Sequence, residues 1–137
     1  MIRLHDPMQI TVDTSVVMAV LLREPARDDL IERTRDAELL AAPTLPWEVG
    51  NALSALLRRD RLQWAHASAA LAGLTAIPLR LPEIELDDAV ALANRFGIYA
   101  YDAYVIACAR RYHTPLLSLD QAQNAVAREA GVTLLEV

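Results

Sequence analysis

Two aspartates follow short apolar runs that read as strands. Asp13 ends Ile10-Thr11-Val12-Asp13, and Asp120 ends Leu116-Leu117-Ser118-Leu119-Asp120. Open parallel sheets bind ligands beyond the carboxyl ends of their strands, so both positions suit chemistry. Both also suit a plain helix N-cap, a role that Thr14 or Ser15 fills equally well after the first run. Glu48 lies in Leu45-Pro46-Trp47-Glu48-Val49-Gly50-Asn51, near a helix start. At about 100° per residue, Glu48, Asn51, Ala55, Arg58 and Arg59 share a stripe opposed by Val49, Leu53, Leu56 and Leu57. A solvated face with an acid favoured in the first turn by the helix dipole accounts for that stripe as well. Asp102 opens Tyr101-Asp102-Ala103-Tyr104-Val105-Ile106-Ala107-Cys108-Ala109, apolar nearly all round and therefore buried. A carboxylate at the rim of a core is costly unless compensated, by a helix end or by a cation.

Taken together, Asp13, Glu48, Asp102 and Asp120 offer the oxygen donors that Mg²⁺ or Mn²⁺ prefer. A cation among acids lowers the pKa of a bound water, orients it against a phosphodiester and offsets the charge that repels such a substrate. Zinc is disfavoured, because His5, His66 and His113 are dispersed and Cys108 is the only cysteine. A lone cysteine flanked by alanines reads as a small buried apolar residue, and it allows no internal disulfide. All basic residues are arginines. The net charge of −5 argues at first sight against a nucleic-acid partner, an argument that weakens if the acids are concentrated at one metal site.

The elements that must position these residues alternate. Strands are expected at Gln9–Val12, Glu38–Ala42, Ile77–Leu81, Pro115–Leu119 and Val132–Val137, the third confined to a sheet edge by Pro78. Helices are expected at Ser15–Leu22, Ala26–Asp36, Leu45–Arg59, Trp64–Leu74, from Pro82 to Arg95 with Gly97 as C-cap, Tyr101–Tyr112 and Asp120–Ala130. This alternation predicts one α/β domain over residues 1–137, a three-layer α/β/α sandwich around a mostly parallel sheet of four to five strands. At 54% apolar residues the chain has material for one core and little tendency to disorder. No apolar run spans a bilayer, and the start lacks a signal-peptide layout, so a cytoplasmic setting is expected.

Four segments, in order, resemble the motifs of the PIN-domain family, particularly the toxin subunits of VapBC-type toxin–antitoxin pairs. These are Val12-Asp13-Thr14-Ser15, Glu48-Val49-Gly50-Asn51-Ala52-Leu53, Tyr101-Asp102-Ala103-Tyr104-Val105-Ile106-Ala107 and Leu117-Ser118-Leu119-Asp120. In the fourth, serine stands where threonine is common. The resemblance implies that Asp13, Glu48, Asp102 and Asp120 hold Mg²⁺ or Mn²⁺ and carry catalysis. Ser118 would support them, with Thr14 and Asn51 as further polar lining. The implied activity is endonucleolytic cleavage of RNA, leaving a 5′-phosphate and a 3′-hydroxyl. The implied partners are a VapB-like antitoxin, whose C-terminal segment blocks the acidic groove, and a second copy in a homodimer. Some members carry a further acid where this chain has Ile106, which implies one firmly held ion and at most a weaker second.

Other readings fare worse. A response-regulator receiver needs a lysine, a haloacid dehalogenase-type phosphatase needs an acid at the position of Ser15, and nucleotide-binding loops need clustered glycines. A non-catalytic PIN-like interaction module predicts loss of one or more of the acids. A housekeeping PIN nuclease for RNA processing differs from a toxin in its gene neighbourhood. Arg58, Arg59 and Arg61, with Arg110 and Arg111, are candidates for the RNA backbone and equally for solvated helix ends.

Overall fold

The computed structural model describes residues 7–136. The first strand shows how the sequence builds the layers. In β1 (Gln9–Val12), Ile10 and Val12 face one side of the sheet, while Thr11 faces the other and meets Cys108 and Thr114. A strand buried on both faces reads as continuously apolar, and period-two alternation decides which core each residue joins.

Two cores follow. Ile10, Val12 and Leu117 pack with α1 (Thr14–Leu21), α2 (Arg27–Thr34), α3 (Leu45–Arg58) and α4 (Trp64–Ala76). Leu116 packs instead with α5 (Leu86–Phe96), α6 (Ala100–Arg111) and α7 (Gln121–Glu129). Between the layers lies a sheet in the order β3-β2-β1-β4, with β2 at Glu38–Leu40, β3 at Leu79–Arg80 and β4 at Leu116–Leu117. Every pairing is parallel. The expected α/β/α architecture with a parallel sheet is the one observed.

The chain runs from β1 outward through β2 to β3, then returns to the opposite side of β1 as β4. The strand order therefore reverses between β1 and β4, where the connections leave in opposite directions and open a crevice at the strands' carboxyl ends. Asp13 follows one of these strands, and Ser118 the other.

Several boundaries differ from expectation. The fifth strand, expected at Val132–Val137, is a single parallel bridge between Leu134 and Leu116 among the described residues. Its backbone meets β4 only through Leu116 N–H to Thr133 O and Leu135 N–H to Leu116 O, because β4 itself is so short. Val137 and His5 lie outside the described residues. Helix α5 starts at Leu86 rather than at Pro82. The carbonyl of Glu83 accepts from Arg111 and from the Tyr112 hydroxyl, which holds this stretch extended instead of in a helical ladder. Gly97 ends α5 in the left-handed conformation, as expected, with φ of 64°. Among the described residues, no helix is long and apolar enough to cross a membrane.

Candidate functional site

Asp13 sits at the crevice and is only 6% exposed. It caps α1: its Oδ1 accepts from the Ser15 N–H at 2.9 Å, and its Oδ2 accepts from the Ser15 hydroxyl at 3.0 Å. The same Oδ2 accepts from the Ser118 hydroxyl, reaching across from the end of β4. Ser118 Oγ in turn accepts from the Asp120 N–H at 3.0 Å. Ser15 Oγ accepts from the Leu119 N–H at 3.0 Å. Two hydroxyls thus stitch the ends of β1 and β4 together around one carboxylate. The strand-like run through Leu119 stops at Leu117 because Ser118 leaves the ladder to make these bonds.

Asp120 caps α7 through the Gln123 N–H, 3.1 Å from its Oδ1. Capping, the plain alternative to a ligand role, is therefore observed for both strand-end aspartates. It leaves Asp120 Oδ2 free of any bond to the described residues. Asp102 lies in the first turn of α6, and its carbonyl accepts from Gln123 Nε2 at 3.3 Å, which ties α6 to α7 beside Asp120.

Glu48 enters from α3, in whose first turn it lies. Thr44, one turn earlier, donates to its Oε2 at 2.8 Å. Burial pushes the Glu48 carboxyl above its usual range, the Thr44 hydroxyl pulls it partly back, and the fields of Asp13 and Asp102 push it further up. Asp102 is likewise raised, first by burial and then by Asp120 and Asp13. The four acids therefore sense one another as like charges across the crevice. No arginine answers them: the ion pairs among the described residues join other acids, such as Glu38 with Arg80 and Glu85 with Arg111. Thr14 Oγ1 is buried next to Glu48 and lowers its carboxyl slightly, yet no atom stands in full hydrogen-bonding geometry to it.

This arrangement bears on a cation directly. Glu48 and Asp102, partly desolvated and facing other carboxylates with no basic partner, lie with a buried hydroxyl that lacks a full hydrogen bond in a hard-oxygen environment whose charge a divalent ion and its waters would complete. As the side chains stand, no three acidic, histidine or cysteine groups among the described residues are spaced to chelate one ion. Asp13, Glu48 and Asp120 are each turned toward a capping hydroxyl or amide instead. The donor chemistry, all carboxylate and hydroxyl oxygen, fits Mg²⁺ or Mn²⁺.

Other residues singled out from the sequence fall further away. Asn51 is exposed on α3, one turn beyond Glu48. Arg58 and Arg59 are exposed at the far end of α3, about 15 Å along the axis from Glu48 at about 1.5 Å per residue, with Arg61 beyond them. Arg110 and Arg111 end α6, at the opposite end from Asp102, and Arg111 is engaged by Glu85. Ile106 is fully buried in the second core. Cys108 is a free, fully buried thiol that burial pushes up, so it is no nucleophile. Three residues of the site were not singled out for these roles. Ser15, two after Asp13, and Thr44, four before Glu48, carry local capping signals that the sequence shows. Gln123 carries none, because its contact to Asp102 exists only across two helices.

Comparison with known proteins places this geometry. A family model described as "PIN domain" matches residues 10–129. Among solved structures, PAE2754 from Pyrobaculum aerophilum superposes with a TM-score of 0.69 at 26% identity, covering 88% of this chain and 86% of that one. VapBC2 from Rickettsia felis, solved bound to a DNA fragment from its promoter, gives a TM-score of 0.66 at 10% identity, covering 93% and 98%. A domain of a functionally unknown protein from Methanocaldococcus jannaschii gives 0.55 at 22%, covering 95% and 92%. No curated protein matches the chain. A match over most of the chain, with the acids gathered where the strand order reverses, makes this protein a member of the PIN-domain family.

Proposed function

We propose that the protein is a Mg²⁺- or Mn²⁺-dependent endoribonuclease, the toxin of a VapBC-type toxin–antitoxin pair, built as a single PIN domain over residues 1–137. Membership of a family whose members are in general nucleases supports the reaction class. The observation that carries the reading is the group of mutually repelling, unpaired carboxylates at the β1–β4 crevice.

Asp13, Glu48, Asp102 and Asp120 would hold the ion through their oxygens. When bound, the cation supplies a water of lowered pKa and neutralises charge on the phosphate in the transition state. Ser118 and Ser15 fix the Asp13 carboxylate, so that it meets the ion in one orientation. Thr44 does the same for Glu48. In-line attack at phosphorus then breaks the bond to the 3′ oxygen, leaving a 5′-phosphate and a 3′-hydroxyl. Arg58, Arg59 and Arg61, at the far end of α3, would meet phosphates a few nucleotides from the cut.

The structural likeness to a protein solved as VapBC2 supports an antitoxin as partner, with its blocking segment in the acidic groove. A homodimer and a cytoplasmic setting complete the reading. The test uses purified full-length protein, free of antitoxin, with structured RNAs and Mg²⁺ or Mn²⁺. Cleavage is expected, and it should vanish with EDTA and in Asp13→Asn. Cleavage that survives both controls would refute the metal mechanism. Absence of both cleavage and calorimetric Mn²⁺ binding would favour a non-catalytic module.

A further inference from the structure

Strand β4 ends at Leu117, whose carbonyl accepts from the Asp13 N–H at 3.1 Å. One residue on, Ser118 is buried, and its carbonyl accepts no backbone N–H among the described residues. A buried carbonyl needs a partner. Asn124, the fourth residue of α7, supplies it: its Nδ2 donates to Ser118 O at 3.0 Å. The Asn124 N–H donates to Asp120 O, also at 3.0 Å. One residue therefore grips both ends of the Ser118–Asp120 turn, which the Asp120 N–H closes from inside through Ser118 Oγ.

For its own helix Asn124 is a poor choice. Asparagine forms helix less readily than alanine or leucine. Its Oδ1 is buried with no hydrogen-bond partner among the described residues. Turning the amide over gives no relief, since it would set oxygen against the Ser118 carbonyl. A group that costs its own element is explained by what it does for another. Here that other is Ser118: holding the carbonyl fixes the backbone from which the hydroxyl reaches Asp13 Oδ2.

We propose that Asn124 is a positioning residue of the metal site, acting through Ser118. By fixing the Ser118–Asp120 turn it sets the direction of the Asp13 carboxylate and the place of Asp120 before an ion arrives. This role rests on the metal-dependent reading above and adds to it a side chain that hydrogen-bonds to none of the four acids. A merely structural asparagine would support α7 and leave the affinity for the ion alone.

Mn²⁺ binding is measured by calorimetry on full-length wild type, Asn124→Leu, Ser118→Ala, the double variant and Ala127→Gly. Each is studied at a temperature where circular dichroism shows it folded. Leucine keeps roughly the shape of asparagine, lacks the donor and removes the stranded oxygen. Loss of partners behind metal ligands weakens metal binding about 10–100-fold. Asn124 stands one bond further out, so binding about fivefold weaker is expected, the equivalent of one neutral hydrogen bond of about 1 kcal/mol. Ala127→Gly loosens α7 in the second core, away from the turn, and should leave the affinity unchanged. In the Ser118→Ala background the Asn124→Leu loss should disappear, because its route is already cut. Asn124→Ala gives the same readings with a smaller side chain, should leucine not be accommodated. Unchanged affinity in the Asn124 variants, an equal loss in Ala127→Gly, or a full further loss in the double variant overturns the proposal. A wild type that binds no Mn²⁺ at all refutes the metal-dependent reading itself, and this role with it.

Discussion

Ser118→Ala tests whether the site is held by the hydroxyl that joins its two strands. Ser118 is 4% exposed, so water replaces none of what is lost. The substitution removes the bond donated to the Asp13 carboxylate and the bond accepted from the Asp120 N–H. A hydrogen bond to a charged group contributes about 1.5–3 kcal/mol and a neutral one about 1, so the metal-free fold should lose about 2–4 kcal/mol. For a chain of 137 residues this corresponds to about 8–16 °C in the melting midpoint, at about 4 °C per kcal/mol. The assay is urea unfolding in EDTA of wild type, Ser118→Ala, Asp13→Asn and the double variant. The two single losses should overlap, with Ser118→Ala costing less in the Asp13→Asn background, because part of what Ser118 supports is then already altered. Ser118→Thr keeps the hydroxyl and should stay near wild type in both stability and Mn²⁺ affinity. An Ala variant within about 0.5 kcal/mol of wild type, or losses that simply add, would refute the linkage, since unconnected sites add within about that margin.

Charge removal at the crevice should have the opposite sign. Burial and like charges raise Glu48 and Asp102, so each ionised group opposes folding in the absence of metal. Glu48→Gln and Asp102→Asn should therefore raise the midpoint in EDTA at neutral pH and abolish cleavage; lowered midpoints would contradict the crowding. For the wild type in EDTA the sign follows: the carboxyls favour the fold at pH below their ordinary values, and that contribution is lost as pH rises through the raised ones. Thr11→Val strands the buried Thr114 hydroxyl, now 2.6 Å from Thr11 Oγ1, and should cost about 1–3 kcal/mol by chemical denaturation. Gly97→Ala meets no atom within 4 Å but must hold φ near 64°, so about 1–2 kcal/mol should be lost to backbone strain alone.

How much was legible in the sequence varies with the range of the interaction involved. Alternation of apolar runs and amphipathic helices determined the α/β class, and Gly97 marked the end of α5, because periodicity and capping are local. The four acids were legible for the same reason, each standing at a strand end or in a first helical turn. Their ordered spacing carried the resemblance to PIN domains. Single segments could not decide whether Asp13 and Asp120 cap helices or face a common site. The fold shows that they do both, since reversal of strand order between β1 and β4 brings their carboxyl ends together. Ser15 and Ser118 became a pair only across a separation of over a hundred residues, which no spacing rule reports. The arginines of α3 share a stripe with Glu48 in projection, yet the rise of the helix sets them about 15 Å away. The last strand shrank to a bridge because β4 ends early, diverted by Ser118. What the sequence determined by itself was the local conformation and the chemical identity of each donor. Which donors share a crevice, and which charges find no partner, is a matter of non-local packing that only the tertiary structure decided.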